Sequence, residues 1–461
     1  MSTSSPILVW FRTDLRLHDH PALRAAADDG APVIPVYLHS PESEGAWIRG
    51  GASRWWLHHA LNDLSDQLEK KGSTLVLRSG SDPEALLKNL MEETGADRIY
   101  WNRRYEQDAI TLDSKIKKNL PVKSFLGDML WEPNKAKTLS GNSYKVFTPF
   151  YKSLQKLGDP QEPLATPRSL TSPSSFPESE SLDDWELLPK IRWDQNFTEY
   201  WDPTLKGAEA QLDLFVDEAV NNYKKMRDFP ANPGTSKLSP YLHFGQLSPR
   251  TVWHAASEEG NQNAEAYTRQ LFWRDFGKQM LFHFPHTDQK PLQEKYTNFP
   301  WRKDANALKK WQQGQTGYPL IDAGMRELWA TGWMHNRVRM VVASFLVKDL
   351  LISWQEGAKW FWDTLVDADL ANNTLGWQWA GGCGADAAPY FRVFNPITQS
   401  KKFDGSGVYI RRWVPELRAL SDAHIHEPWN APSPPKDYPA PMVDHKEARL
   451  RALEALDSIK D

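Results

Sequence analysis

Thirteen residues, Asp367-Ala368-Asp369-Leu-Ala-Asn372-Asn373-Thr-Leu-Gly376-Trp377-Gln378-Trp379, hold the densest group of side chains that could do chemistry. Carboxylates two apart invite a metal ion, but no His or Cys lies in the stretch, and the metal reading is weak. A row of Asp and Asn side chains suits the donor and acceptor edge of a heterocycle better. A second group is Gln270, Trp273 and Arg274, which share one face of a helix and offer an amide, a stacking ring and a cation together. Its bland reading is a helix with one buried indole and a solvated arginine. A third is Thr235-Ser236-Lys237-Leu238-Ser239-Pro240, with three hydroxyls just before a helix start. Such a start binds phosphate well, although capping alone explains hydroxyls there. In His335-Asn336-Arg337-Val-Arg339-Met340, Asn336 and Met340 lie four apart on one face. An amide at a helix mouth usually caps or bonds backbone. Arg337 and Arg339 point to different sides, so one could meet phosphate and the other a carboxylate.

These groups need a scaffold. The first 130 residues alternate short apolar runs with helical patterns. Ile7–Phe11, Val33–Leu38, Thr74–Leu77, Arg98–Trp101 and Val122–Phe125 read as five strands. Helical stretches run between them, one opened by Asp82-Pro83 and closed by Gly95. Alternation of this kind predicts a doubly wound parallel sheet over 1–132. Ligands bind such sheets beyond the carboxyl ends of the strands, where Arg12–Arg16 and Asn102–Glu106 fall. No glycine-rich loop follows the first strand, so a dinucleotide on the sheet is not expected. Prolines at 160, 163, 167, 173 and 177, mixed with Ser and Thr, mark a surface connector, and 133–204 reads as a linker. From 205 to 461 the periodicity is helical, with stretches near 264–284, 304–313, 319–331, 333–352 and 356–366.

Composition narrows the class. A chain of 461 residues suggests two or three domains. No apolar run is long enough to span a bilayer, and no secretory leader opens the chain. With Cys383 the single cysteine, a disulfide framework is impossible, and a cytoplasmic location is expected. The formal charge of −4 argues against coating nucleic acid by bulk charge but leaves room for a local basic patch. The 22 tryptophans stand out, many beside Arg, Asn and Asp in the second half. They suit stacking on flat rings as well as core packing.

From end to end the chain resembles the photolyase/cryptochrome family. The carrying motifs are Trp10-Phe-Arg12-Thr-Asp14-Leu-Arg16, Thr235–Ser239, Trp273-Arg-Asp-Phe276, Thr316-Gly-Tyr-Pro319, Trp333-Met-His-Asn-Arg337 and Asp367–Trp379. Asp386–Arg392 and Phe394-Asn-Pro396 continue them. Trp55-Trp56-Leu57-His58-His59 and Trp101-Asn-Arg-Arg-Tyr105 make it most similar to the bacterial class III cyclobutane pyrimidine dimer photolyases. The resemblance implies an antenna domain ahead of a helical domain that holds bent FAD, with FADH⁻ as the working form. Tyr223 and Thr235, Ser236, Lys237, Leu238 and Ser239 would then hold phosphates and ribityl chain, with Arg274, Arg339, Asp367, Ala368 and Asp369 completing the cofactor site. Arg339 would pair with Asp367, and Asn373 would accept the flavin N5–H. Trp301, Trp354 and Trp377 would carry electrons from surface to flavin. Trp273 and Trp379 would embrace a dimer flipped out of UV-damaged DNA, and Arg227, Arg337, Arg392 and Gln399 would lie along the strand. Gln270, Asn336 and Met340 would border the lesion.

The implied activity is light-driven splitting of the dimer by an electron lent from the flavin and returned to it. The implied antenna is 5,10-methenyltetrahydrofolate, with a deazaflavin as the alternative. No metal is implied, and a monomer is expected. One position departs: dimer photolyases of this type carry Glu where this chain has Gln270, which cannot give a proton. The (6-4) photolyases carry Gln there, but they need histidines at the positions of Asn336 and Met340. The rival reading is a cryptochrome, a light sensor without repair. Such sensors often carry a long tail beyond the helix that here begins near Asp444, and plant-type ones place Asp at the position of Asn373. A flavin oxidoreductase without light chemistry would need a nicotinamide fingerprint, which is missing.

Overall fold

Ile7–Phe11 is apolar and buried at every position, the pattern of a strand covered on both faces. It forms β1 of a sheet completed by β2 (Val33–His39), β3 (Val76–Ser79), β4 (Arg98–Asn102) and β5 (Val122–Phe125). The order is β3-β2-β1-β4-β5, all parallel, as the alternating pattern predicts. The chain winds outward from β1 in one direction and then in the other. The carboxyl ends of β1 and β4 therefore flank the point where the winding reverses, which is where such sheets hold ligands. β3 begins two residues later than expected. Its register is set by β2, from Val36 opposite Val76 to His39 opposite Ser79.

The computed structural model describes residues 4–386 and 391–459. The chain divides into two units, Met1–Asn221 with Ser236–Pro285 and Asn222–Thr235 with His286–Asp461. In the first, Asp82 caps the helix Pro83–Thr94 by accepting the Glu84 N–H, and Gly95 ends it at φ 70°, a left-handed geometry that costs glycine little. Ser248 caps Pro249–Ser257 in the same way. The connector has few regular elements, yet it is tied to the sheet. The Val33 N–H donates to Thr171 O (2.8 Å), and the Glu180 N–H donates to Leu77 O (3.1 Å).

The second unit is built of helices, among them Asn336–Ser344, Trp354–Thr364, Leu370–Gly381 and Pro396–Phe403. Two helical stretches are interrupted, one beginning in the first unit and one in the second. The stretch from Leu205 is α-helical to Leu214, widens over Phe215–Ala219 and tightens at Val220-Asn221-Asn222, residues that favour helices poorly. The stretch 333–352 is α-helical only over Asn336–Ser344. A wide turn, Phe345–Asp349, follows it, and Leu351 then takes φ 53°. Among the described residues no helix is long and apolar enough to cross a membrane.

Candidate active site

The second unit carries most of the expected site residues. Asp369 caps Leu370–Gly381, accepting from the Asn372 N–H at 2.9 Å and from the Asn372 side chain at 2.6 Å. The helix that follows carries Asn373 and, one turn on, Trp377. Asn373 Nδ2 donates to Ala358 O at 3.0 Å. Only nitrogen can donate there, so the bond fixes the amide's rotation and leaves the oxygen as the acceptor. Arg339 Nη2 meets both oxygens of Asp367 at 3.0 and 2.8 Å, while its Nε donates to Met334 O at 2.7 Å. The Asp367 side chain is 4 % exposed. The expected Arg339–Asp367 pair is present, and Ala368 between the two carboxylates is buried.

Arg337, expected along the strand, is held on the protein side. It too meets a carboxylate, Asp228, at 2.9 Å, and its guanidinium lies 4.5 Å over the Phe403 ring. His335 caps the same helix through Nδ1, and burial pushes its imidazole down to about 4, so it is neutral at pH 7. Asn336 is exposed at the helix start, with its amide 4.0 Å from Met340 Sδ. Arg227 lies 5.1 Å over the buried ring of Tyr223, and Thr235 is half-buried nearby in sequence. Arg392 is exposed and Gln399 half-buried. Residues 387–390 of the Asp386–Arg392 motif lie outside the described residues.

The three tryptophans expected to carry electrons differ in exposure, one half-buried and two buried. Trp301 is half-buried against Phe299, with ring centroids 4.4 Å apart. Beside it, Arg302 bridges to Ile352, and the chain runs on from there into Trp354. Trp354 and Trp377 are each 2 % exposed. Trp377 lies in a close seat. A Cβ placed on Gly357 would fall 2.0 Å from its Cη2, and Phe361 packs edge-on at 5.0 Å.

The first unit carries the rest. Ser236 Oγ accepts from the Leu238 N–H at 3.3 Å, and the Ser236 carbonyl accepts from Gln211 at 2.9 Å. Lys237 takes φ 52°, and Ser239 opens the short helix Ser239–His243. On the helix Gln262–His283, Gln270 turns back to donate to Ala266 O at 3.0 Å. Trp273 stacks on Phe147 with centroids 3.8 Å apart and planes 7° apart, so one face of its ring is covered. Arg274 is neither solvated nor presented beside that ring. It is buried and bonds the side chain and carbonyl of Asp128 and the carbonyl of Leu242. Lys278 adds a second cation to Asp128 at 2.5 Å. Asp275 accepts the Leu130 and Trp131 N–H groups, and burial pushes its carboxyl up to about 7.

A cleft opens at the carboxyl ends of β1 and β2, lined by Trp10, Tyr37, His39, Arg49, Arg104 and Leu187. Trp10 Nε1, Arg12 Nε and Ser40 Oγ are buried on its walls without a hydrogen-bond partner among the described residues. Orphaned donors of this kind call for a ligand or water. The connector supplies one side: Trp185 stacks on His39 at 4.8 Å, and Leu187 reaches the wall. Sequence reasoning put ligands at this end of the sheet but missed Trp185 and Leu187, which belong to a segment without periodicity. It also missed Asp128, Phe147 and Asp228, which are far in sequence from the residues they hold.

Two family models match the chain: a DNA photolyase model over residues 7–168, and the FAD binding domain of DNA photolyase over 267–458. A deoxyribodipyrimidine photo-lyase of Agrobacterium fabrum is 48% identical, over 99% of this chain and 98% of its own length. Cryptochrome-1 of Arabidopsis thaliana is 37% identical, over 98% of this chain and 70% of its own. The crystal structure of a bacterial class III photolyase from Agrobacterium tumefaciens superposes with a TM-score of 0.96 at 47% identity, covering 100% of this chain and 98% of that one.

Proposed function

The chain belongs to the photolyase/cryptochrome family, and from that premise we propose that it is a deoxyribodipyrimidine photo-lyase that splits cyclobutane pyrimidine dimers in UV-damaged DNA. The observation that carries the chemistry is the Leu370–Gly381 helix: it sets an amide acceptor, fixed in rotation, one turn before a buried, oxidisable ring. Reduced FAD, when bound, supplies the electron that opens the dimer and takes it back. The donor set fits that group. Asn373 would accept at N5–H, and the Arg339–Asp367 pair and Asp369 would face the ring edge. Tyr223, Thr235, Ser236, Lys237, Leu238 and Ser239 would serve the phosphates and ribityl chain. Trp301, Trp354 and Trp377 would recharge oxidised flavin under light. Arg274 we assign to holding Asp128, at the edge of this set.

Trp379 and Trp273 would stack on the flipped lesion, with Gln270, Asn336 and Met340 at its border. Flipping costs a few kcal/mol, least for a damaged pair. Arg227, Arg337, Arg392 and Gln399 would meet the strand, positioning it without reading sequence. The cavity at the sheet is the proposed place of the antenna, since aromatic walls and orphaned donors suit a flat heterocycle. We propose 5,10-methenyltetrahydrofolate there, with a deazaflavin as the other candidate. The working form would be a cytoplasmic monomer with functional modules 1–132 and 205–461 joined by 133–204.

The test is repair of a thymine cyclobutane dimer oligonucleotide by reduced protein under blue light, with a (6-4) oligonucleotide alongside. Restored thymine absorbance in the first sample alone is expected. Repair of the second alone would make Gln270 the better guide than Asn336 and Met340. Repair of neither, with flavin bound and photoreducible, would move the chain to the sensor class, in which its 37% identity to a cryptochrome would weigh more.

A further inference from the structure

Lys348 is a buried lysine without an obvious stabilising role. It is 4 % exposed, and burial pushes its ammonium down to about 7. Its neighbour Asp349 is engaged by His445. Lys348 Nζ instead donates to the carbonyl of Arg392 and lies 4.5 Å over the Phe391 ring. One turn earlier, Ser344 Oγ accepts the Phe394 N–H at 3.2 Å. Two side chains of one helical run thus grip the 391–394 segment at two points. The segment carries Arg392, whose guanidinium lies 5.9 Å over Phe394, and Phe394, whose ring is tilted 6.4 Å from Trp379. Lys348, Ser344, Arg392, Phe394 and Trp379 together line a small pocket.

We infer that Lys348 and Ser344 are positioning residues for lesion binding: they hold the 391–394 segment so that Arg392 and Phe394 stand beside Trp379. The inference rests on the repair function proposed above. A buried cation is a poor way to stabilise a fold, because an apolar side chain of similar size does as well or better. A lysine engaged by a backbone carbonyl of a half-buried segment, whose Arg392 is exposed, is therefore better explained by where it places that segment. Because both would act through the segment they hold, their loss should weaken capture and spare the electron step.

The experiment measures Kd and repair rate at saturation on a duplex with one thymine dimer and on the undamaged duplex, for the flavin-loaded wild type, Lys348→Met and Ser344→Ala. Lys348→Met should raise Kd for the dimer about tenfold, the worth of the one internal hydrogen bond that must otherwise be replaced by ordering the segment on binding. The saturated repair rate and the flavin spectrum should stay as in wild type, and Ser344→Ala should show a smaller rise of the same kind. An unchanged Kd in a folded Lys348→Met protein overturns the inference, as does a fall in saturated rate and flavin content together. If Lys348→Met does not fold, Ser344→Ala decides alone: a raised Kd supports the inference and an unchanged one overturns it. A wild type that does not prefer the dimer duplex overturns the repair reading itself, and this inference with it.

Discussion

Replacing Gly357 by alanine tests whether Trp377 lies on the electron route. Gly357 sits inside the helix Trp354–Thr364, where glycine to alanine normally stabilises by about 0.5–1 kcal/mol. Here the added carbon would lie 2.0 Å from Trp377 Cη2 and 2.3 Å from Cζ3, against an ordinary contact of 3.4–4 Å. The indole must withdraw by roughly 1.5 Å to reach normal contact. Overpacking of this kind costs about 1–3 kcal/mol, so the net loss is about 0–2.5 kcal/mol once the helix gain is subtracted. The ring it displaces is the one proposed to pass electrons to the flavin. Two rates separate the effects: photoreduction of oxidised flavin with an external thiol, and dimer repair by chemically reduced protein. Photoreduction should slow, while repair per absorbed photon should match wild type. A stabilised variant would refute the packing argument. A destabilised variant with wild-type photoreduction would refute the place of Trp377 on the route.

Arg339→Ala strips a nearly buried Asp367 of its cation and should cost about 3–5 kcal/mol with loss of flavin, read by urea unfolding and flavin absorbance. Adding Asp367→Asn should recover part of the stability, and failure to recover would show that the two residues are not coupled. Gln270→Glu should raise the number of dimers split per photon, and an equal yield would show that an acid at that position is dispensable. Asp275, raised from 3.8 to about 7 by burial, keeps its proton in the fold where the unfolded chain has lost it. Its contribution to stability is therefore present below about pH 4 and is lost as pH rises through about 7. Asp275→Asn should be more stable than wild type at pH 8 by a margin that shrinks at pH 5, and a margin independent of pH would contradict the buried-acid account.

Much of this is legible in the sequence. β1 and β2 announce themselves because strands covered on both faces read as near-continuous apolar runs, whereas β4 and β5, with polar residues at Arg98, Asn102, Lys123 and Ser124, are marked by their place in the strand–helix alternation. Asp82-Pro83 and Ser248-Pro249 mark helix starts by local capping chemistry alone. The motif residues on Leu370–Gly381 were visible as a group because one helix carries them all. What was hidden is non-local. The partner of Arg274 lies 146 residues away at Asp128, and that of Arg337 lies 109 away at Asp228. The start of β3 depends on its pairing with β2, and the wide turn at Phe345–Asp349 has no signature in residue type. Nor does periodicity show that Ser236–Pro285 belongs with the first unit, because membership there is decided by packing partners.

The return of the connector to β3 has a further consequence for how the protein behaves in concentrated solution. β3 ends the sheet on one side, and a bare terminal strand offers its N–H and C=O groups as a template for any other extended chain. Here those groups are already engaged: the Leu77 N–H donates to Ser179 Oγ, the Leu77 carbonyl accepts from Glu180, and the Ser79 N–H donates to the Glu180 carboxylate. The connector thus serves as a detachable hem on the sheet. A protease that cut it between 160 and 200 would leave the sheet intact but expose its border, and the nicked protein should associate and precipitate while the uncut protein stays dispersed.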